Sequence, residues 1–203
     1  RRIFRIQKGG HGYMWLLTQE GIDRSDGSKF KHYAVFDGSM EVAPQINLNW
    51  LYTDSRHRLW VVGRKGRIFR YDTARDRFVM TYKLNGLQDD VTSGTVNCTY
   101  MDSNDRIWLC HGDSIIRYDT RAGTTDRIDS PASNDITAIT QTDSTNFFIG
   151  TSNGLLQTIE KEGVLETVAG TSTDSICIPV CALYFHQDSK KLFIGAFKEG
   201  IIA

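Results

Sequence analysis

The sequence has 203 residues, with 24 basic and 24 acidic side chains and no formal net charge. That balance argues against nucleic acid as the main partner, which selects a basic surface, and no apolar run reaches membrane-spanning length. A hydrophobic fraction of 40% and a charged fraction of 24% fall in the globular range.

In chain order, the predicted elements form one block that recurs. The leading copy is Gly12-Tyr13-Met14-Trp15-Leu16-Leu17-Thr18. The clearest copies run from Asp54-Ser55 to Leu59-Trp60-Val61-Val62-Gly63 and from Asp102-Ser103 to Ile107-Trp108-Leu109-Cys110. Each continues into Arg-Tyr-Asp-Thr, at 70–73 and 117–120. Weaker copies begin at Asp143-Ser144 and Asp188-Ser189. The anchoring aromatics Trp15, Trp60, Trp108, Phe148 and Phe193 are spaced by 45, 48, 40 and 45 residues. A period of this size marks a repeat architecture.

Within the second copy the segments 46–53, 59–63, 66–71 and 77–84 read as four short strands, rich in Val, Ile, Tyr, Phe and Trp and bounded by turn residues. The Asp of each Asp-Ser, and Asp72 and Asp119 of Tyr-Asp-Thr, can accept a hydrogen bond from a backbone N–H two residues on and so close a turn. They read as turn formers, not catalytic carboxylates. Gly66 and Gly154 fall in the second hairpin of their copies, where positive φ is wanted. The recurring aromatic supplies an apolar face for packing one sheet on the next.

Four-stranded units with one aromatic each fit β-propeller blades. A β-solenoid usually has shorter repeats, and stacked immunoglobulin-like domains need about twice the period. The fold class expected is all-β, a partial propeller arc of about four and a half blades at roughly 45 residues per blade. The blades are placed at 1–36, 45–84, 95–129, 135–170 and 178–203, the last incomplete. The chain then reads as one fragment of a longer propeller with exposed, sticky blade edges.

These residues resemble the two-component regulator propeller repeat. The match is carried by Asp-x-x-x-x-Leu-Trp-Val-x-Gly followed by Ile-x-Arg-Tyr-Asp. Gly12-Tyr13-Met14-Trp15 through Gly27, with Phe30 to Tyr33, resembles a variant blade, and Asn85-Gly86-Leu87 resembles the inter-blade entry segment. The resemblance weakens at Phe148, Gln157-Thr158 and Phe193, where Trp and Arg-Tyr are absent. It implies the periplasmic sensor part of a hybrid two-component protein, detecting an oligosaccharide and signalling to a histidine kinase. A second propeller, an immunoglobulin-like domain, one membrane span, the kinase and a response regulator would lie elsewhere in the parent, which is compatible with a homodimer. The motif residues are turn and core positions, so the resemblance names no sugar.

Ligands of propellers usually meet loops at one face. Here those are the loops between second and third strands and those between blades, including 37–44 and 87–95. Arg64, Lys65, His111 and Asp113 are the polar residues best placed to contact a ligand. Arg64 could form a bidentate contact with the carboxylate or sulfate of an acidic sugar. The plain alternative for each is a solvated hairpin residue, and it is favoured residue by residue.

No metal site or cofactor is expected. The histidines His11, His32, His57, His111 and His186 lack ligand spacing, and the loop at Asp102 lacks the Gly and distal Glu of a calcium loop. Cys98, Cys110, Cys177 and Cys181 match no zinc motif. Cys98 and Cys110 are symmetric about Asn104, compatible with a cross-strand disulfide, although buried free thiols are favoured. No nucleophile elbow, phosphate loop or zinc-protease motif is present, so no catalytic residues are assigned. The alternatives retained are a propeller polysaccharide lyase or glycoside hydrolase, whose paired carboxylates could come from distant blades, and a protein-binding scaffold.

Overall fold

The computed structural model describes residues 2–33, 35–37, 40–42, 48–84, 94–171 and 175–202. The chain divides into two compact units, residues 1–95 and 96–203.

The first unit holds two sheets. Strands β1 (Ile3–Lys8), β2 (Met14–Thr18), β3 (Gly21–Ser25) and β4 (Phe30–Tyr33) form an antiparallel meander in sequence order. Strands β7 (Leu48–Thr53), β8 (Leu59–Gly63), β9 (Arg67–Asp72) and β10 (Arg77–Lys83) repeat it, each within two residues of the strand expected. The stretch 37–44, read as an inter-blade loop, falls partly outside the described residues. Its described part belongs to a short hairpin, β5 (Val35–Asp37) and β6 (Met40–Val42), with β5 running parallel to β10. The outer edge of β10 offers unpaired backbone groups, which template this addition.

The second unit holds three sheets. They are β11 (Cys98–Met101), β12 (Arg106–His111), β13 (Ser114–Asp119) and β14 (Thr125–Ile128); β15 (Ile136–Gln141), β16 (Asn146–Thr151), β17 (Gly154–Lys161) and β18 (Val164–Thr167); and β19 (Val180–His186), β20 (Lys191–Ala196) and β21 (Gly200–Ile202). The expectation of a partial arc of about four and a half blades is thereby corrected: five blade sheets form, the fifth with three strands. The last copy reaches a sheet because 200–202 pairs with β20. A three-residue 3-10 turn lies at Gly10–Gly12.

The repeated Asp explains why the second and third blades look alike. Asp54 Oδ1 accepts the backbone N–H groups of Arg56 (3.0 Å) and Arg58 (2.8 Å), while Oδ2 accepts Arg58 Nε (2.6 Å) and Trp60 Nε1 (2.9 Å). Asp102 repeats every contact with Asn104, Arg106 and Trp108, at 2.9, 2.9, 2.6 and 2.8 Å. Both Asp residues are buried. The turn reading of Asp-Ser holds, and the same carboxylate also satisfies the indole N–H that a buried Trp must place. At the other hairpin on this end of the blade, Asp72 accepts the N–H groups of Ala74 and Arg75, and Asp119 those of Arg121 and Ala122, the first of each being the bond expected.

Trp15, Trp60 and Trp108 are buried. Trp15 packs against Tyr71 and Phe78 of the neighbouring sheet, with ring centroids 4.7 and 5.7 Å away. Trp108 packs against Phe147 of the sheet that follows, at 4.7 Å. Phe148 and Phe193 occupy the Trp register, opposite Thr140 and Tyr184, but both are only half-buried. In the fourth blade Phe147, on the opposite face, is the fully buried ring. Phe148 faces a three-stranded sheet that covers less of it.

Candidate functional site

The turn between β8 and β9 is closed by Gly66 N–H donating to Gly63 O at 2.9 Å, with Gly66 at φ +69°. It leaves the Arg64 side chain exposed. Lys65 Nζ reaches back to Gly94 O at 3.4 Å. In the second unit His111 ends β12 and pairs across the turn with Ser114. Asp113 is exposed at the turn, its Oδ1 accepting Ser114 Oγ at 3.3 Å. Gly112 O accepts Ile136 N–H at 2.9 Å, which ties this turn to the next sheet. Arg64 and Lys65 thus belong to the first unit, and His111 and Asp113 to the second. Within each unit the pair lies at the end of the sheets where the loop reading put it.

Two clefts open at the opposite ends of the sheets, by the first hairpins. In the first unit a cleft of about 470 Å³ is lined by Tyr13, Trp15, Arg56, His57, Arg70 and Tyr71, among others. The Arg24 guanidinium lies 4.3 Å from the Tyr13 ring centroid and donates to Tyr71 Oη at 3.0 Å. Asp76 accepts hydrogen bonds from Lys31, Tyr71 and Tyr33. Lys31 foremost, then Tyr71, holds the Asp76 carboxyl well below the usual carboxylate range. Burial first, then hydrogen bonds, pushes the Tyr33 and Tyr71 phenols up. This network joins the two sheets through a Tyr of the repeat motif. Sequence reading missed it because Asp76 lies in a turn with no repeat signature.

In the second unit a cleft of about 520 Å³ is lined by Tyr100, Ser103, Gln141, Thr142, Gln187 and Lys190, among others. Gln141 is buried; its Oε1 accepts Ser103 N–H at 2.9 Å, and its Nε2 has no partner. The backbone N–H groups of Thr145 and Asn146 draw the Asp143 carboxyl down.

Cys98 and Cys110 sit directly opposite each other in the β11–β12 register, as their symmetry about Asn104 suggested, and both are buried free thiols. Contact with the Cys98 thiol, then burial, pushes the Cys110 thiol up. Among the described residues no cluster of three or more His, Cys, Asp or Glu could hold a metal, and no helix is long and apolar enough to cross a membrane.

No protein-family model and no curated protein matches this sequence. Solved structures do match. The extracellular domain of BT3049 from B. thetaiotaomicron, described as a hybrid two-component system, superposes with a TM-score of 0.70 at 20% identity over 97% of this chain. What they share is the fold. The extracellular domain of BT4673 from the same organism gives 0.58 at 14% identity over 96% of this chain. YCF48 from Cyanidioschyzon merolae gives 0.68 at 11% identity over 93% of this chain and 62% of its own. The present chain spans only 28% and 33% of the BT3049 and BT4673 chains.

Proposed function

We propose that this chain is part of an extracytoplasmic sensor propeller of a hybrid two-component system, a binding module without catalytic activity of its own. The observation that carries this reading is the superposition of nearly the whole chain on the BT3049 extracellular domain. The Trp and Arg-Tyr-Asp repeat supports it from the sequence side. In this reading the chain is periplasmic and its ligand is an oligosaccharide. The signal passes to a histidine kinase through parts of the parent protein outside these residues, a second propeller among them.

The candidate contacts are Arg64 and Lys65 in one unit and His111 and Asp113 in the other. Guanidinium, ammonium, imidazole and carboxylate groups can hydrogen-bond sugar hydroxyls or pair with an acidic substituent, and of these four residues Arg64 and Asp113 are exposed while Lys65 and His111 are partly buried. Calorimetry with plant and host oligosaccharides, on this chain and on the extracellular domain containing it, tests the reading. Binding weakened by Arg64→Ala and His111→Ala supports these loops. Binding unchanged in both variants rejects them. Glycan turnover that vanishes on replacing a single Asp or Glu would favour the lyase or hydrolase reading instead.

A second reading is a protein-binding scaffold. It is favoured by the likeness to a structure described as YCF48 bound to D1 peptide, with a TM-score of 0.60 at 11% identity. Binding of an unstructured peptide, with no response to any saccharide, would select it.

A further inference from the structure

Gln141 carries a hydrogen-bonding group that the fold does not use. It ends β15 and is 4% exposed. Its Oε1 accepts the Ser103 N–H at 2.9 Å, which ties the fourth blade back to the first hairpin of the third. That donor fixes the amide, because only the oxygen can face an N–H, so Nε2 is turned away from Ser103. Nε2 is buried and has no partner among the described residues. A buried donor left unbonded is costly to the fold.

The second blade shows that the backward tie needs no amide. Thr53 stands seven residues before Trp60, as Gln141 stands seven before Phe148. It reaches back to Lys8 O with a single hydroxyl, at 3.1 Å. Gln141 makes the same kind of contact and brings a second group with it.

Gln141 lines the cleft of about 520 Å³ in the second unit. This cleft opens at the ends of the sheets, beside the first hairpins, and not on the side faces where blade stacks on blade. Exposed Ser103, Ser144 and Lys190 line it too. The two seryl hydroxyls make no hydrogen bond among the described residues. Lys190 Nζ meets Gln187 Oε1 only at 3.4 Å, and both side chains are exposed, so this rim is loosely held. The carboxylates of the lining are already engaged. Asp102 holds Arg106 and Trp108, and Asp143 accepts the N–H groups of Thr145 and Asn146. A ligand therefore meets amide, hydroxyl and ammonium groups. Such a set suits an uncharged, oxygen-rich molecule that both donates and accepts hydrogen bonds.

We propose that this cleft is a subsite for an uncharged sugar, at the end of the sheets opposite the His111–Asp113 turn. A sugar oxygen, entering past the Gln187–Lys190 rim, accepts from Gln141 Nε2. Neighbouring hydroxyls meet Ser103, Ser144 and Lys190. The subsite presupposes the saccharide-binding function proposed for the chain and gives it a second place and a charge class.

Titration of this chain with neutral trisaccharides of galactose, mannose and xylose tests it, with trigalacturonate as the charged comparison. Calorimetry reads affinity, and NMR reads the assigned side-chain amide peaks of Gln141. A neutral trisaccharide is expected to shift those peaks. Ser144→Ala, at an exposed position, is expected to weaken its binding about fivefold, the worth of one hydrogen bond. Gln141→Glu keeps an oxygen for Ser103 and replaces the donor with an acceptor, so it is expected to weaken binding at least as much. Thermal melts show whether each variant folds; if Gln141→Glu does not, the amide peaks and Ser144→Ala decide. Amide peaks that stay fixed while sugar binds overturn the subsite, as does full affinity in the folded variants. So does a chain that binds none of the neutral sugars. If trigalacturonate alone binds, and Arg64→Ala or His111→Ala weakens it, the saccharide-sensing function survives without this subsite.

Discussion

The buried carboxylate of Asp102 is the sharpest test of how a blade holds its Trp. Asp102→Ala removes the acceptor for two backbone N–H groups, for Arg106 Nε and for Trp108 Nε1. An orphaned buried donor costs about 1–3 kcal/mol, and breaking a buried charge pair by deleting one partner costs about 3–5 kcal/mol. Arg106 is partly exposed and can recover water, as can the turn amides, while the indole N–H cannot. The expected loss is therefore about 3 kcal/mol. Urea denaturation of the wild type, Asp102→Ala, Trp108→Phe and the double variant measures it. Trp108→Phe removes the orphan, so the double variant should lose less than the sum, with a coupling of about 1–2 kcal/mol. The control is Asp143→Ala, an exposed turn carboxylate with no indole partner, which should cost within about 1 kcal/mol. A loss below 1 kcal/mol for Asp102→Ala, or strict additivity in the cycle, would refute the cage.

Other expectations follow from burial and backbone. Phe147→Ala should cost about 3–5 kcal/mol and Phe148→Ala clearly less in the same urea series, inverting the order that the repeat alignment assigns. Gly154→Ala would bring a Cβ within 2.4 Å of Ile176 O, whereas Gly123, at φ +71°, has open space around it. Thermal melts should show the larger drop for Gly154→Ala. Asp76 has a folded-state pKa depressed below its ordinary 3.8. Its contribution is thus present above that value and lost as pH falls through the lower folded value. The stability gap between wild type and Asp76→Asn should be full near neutrality and shrink under acid denaturation below about pH 4; a gap that grows on acidification contradicts the network. Trp60→Ala should cost about 3–5 kcal/mol by the same denaturant assay.

Much of this fold is legible in the sequence because its signals are local. Strand limits follow from Gly and Asp at the hairpins, and Asp54, Asp72, Asp102 and Asp119 cap turns as their spacing implies. The face of a residue in the weaker copies is less legible. Phe147 and Phe148 are adjacent, point to opposite sides, and fit the repeat equally well by type; only the packing of neighbouring sheets decides which is core. The β5–β6 hairpin has no signature either, because it exists through pairing with an edge far along the chain. Of the candidate site, the loops could be placed but not their convergence, since Arg64-Lys65 and His111-Asp113 come from separate units. The clefts by the first hairpins were invisible, as they are lined by turn residues whose local role is already satisfied.

The Asp cage spans only six residues, from Asp54 to Trp60 and from Asp102 to Trp108. These two blades therefore each carry their own nucleation instruction, with low contact order, and need their neighbours only for the later step of face-to-face stacking. A gene segment encoding one such blade can be copied or excised without rewriting the others. Growth of the array by tandem duplication then meets little kinetic penalty, and blade number becomes a freely varying trait on which selection can act.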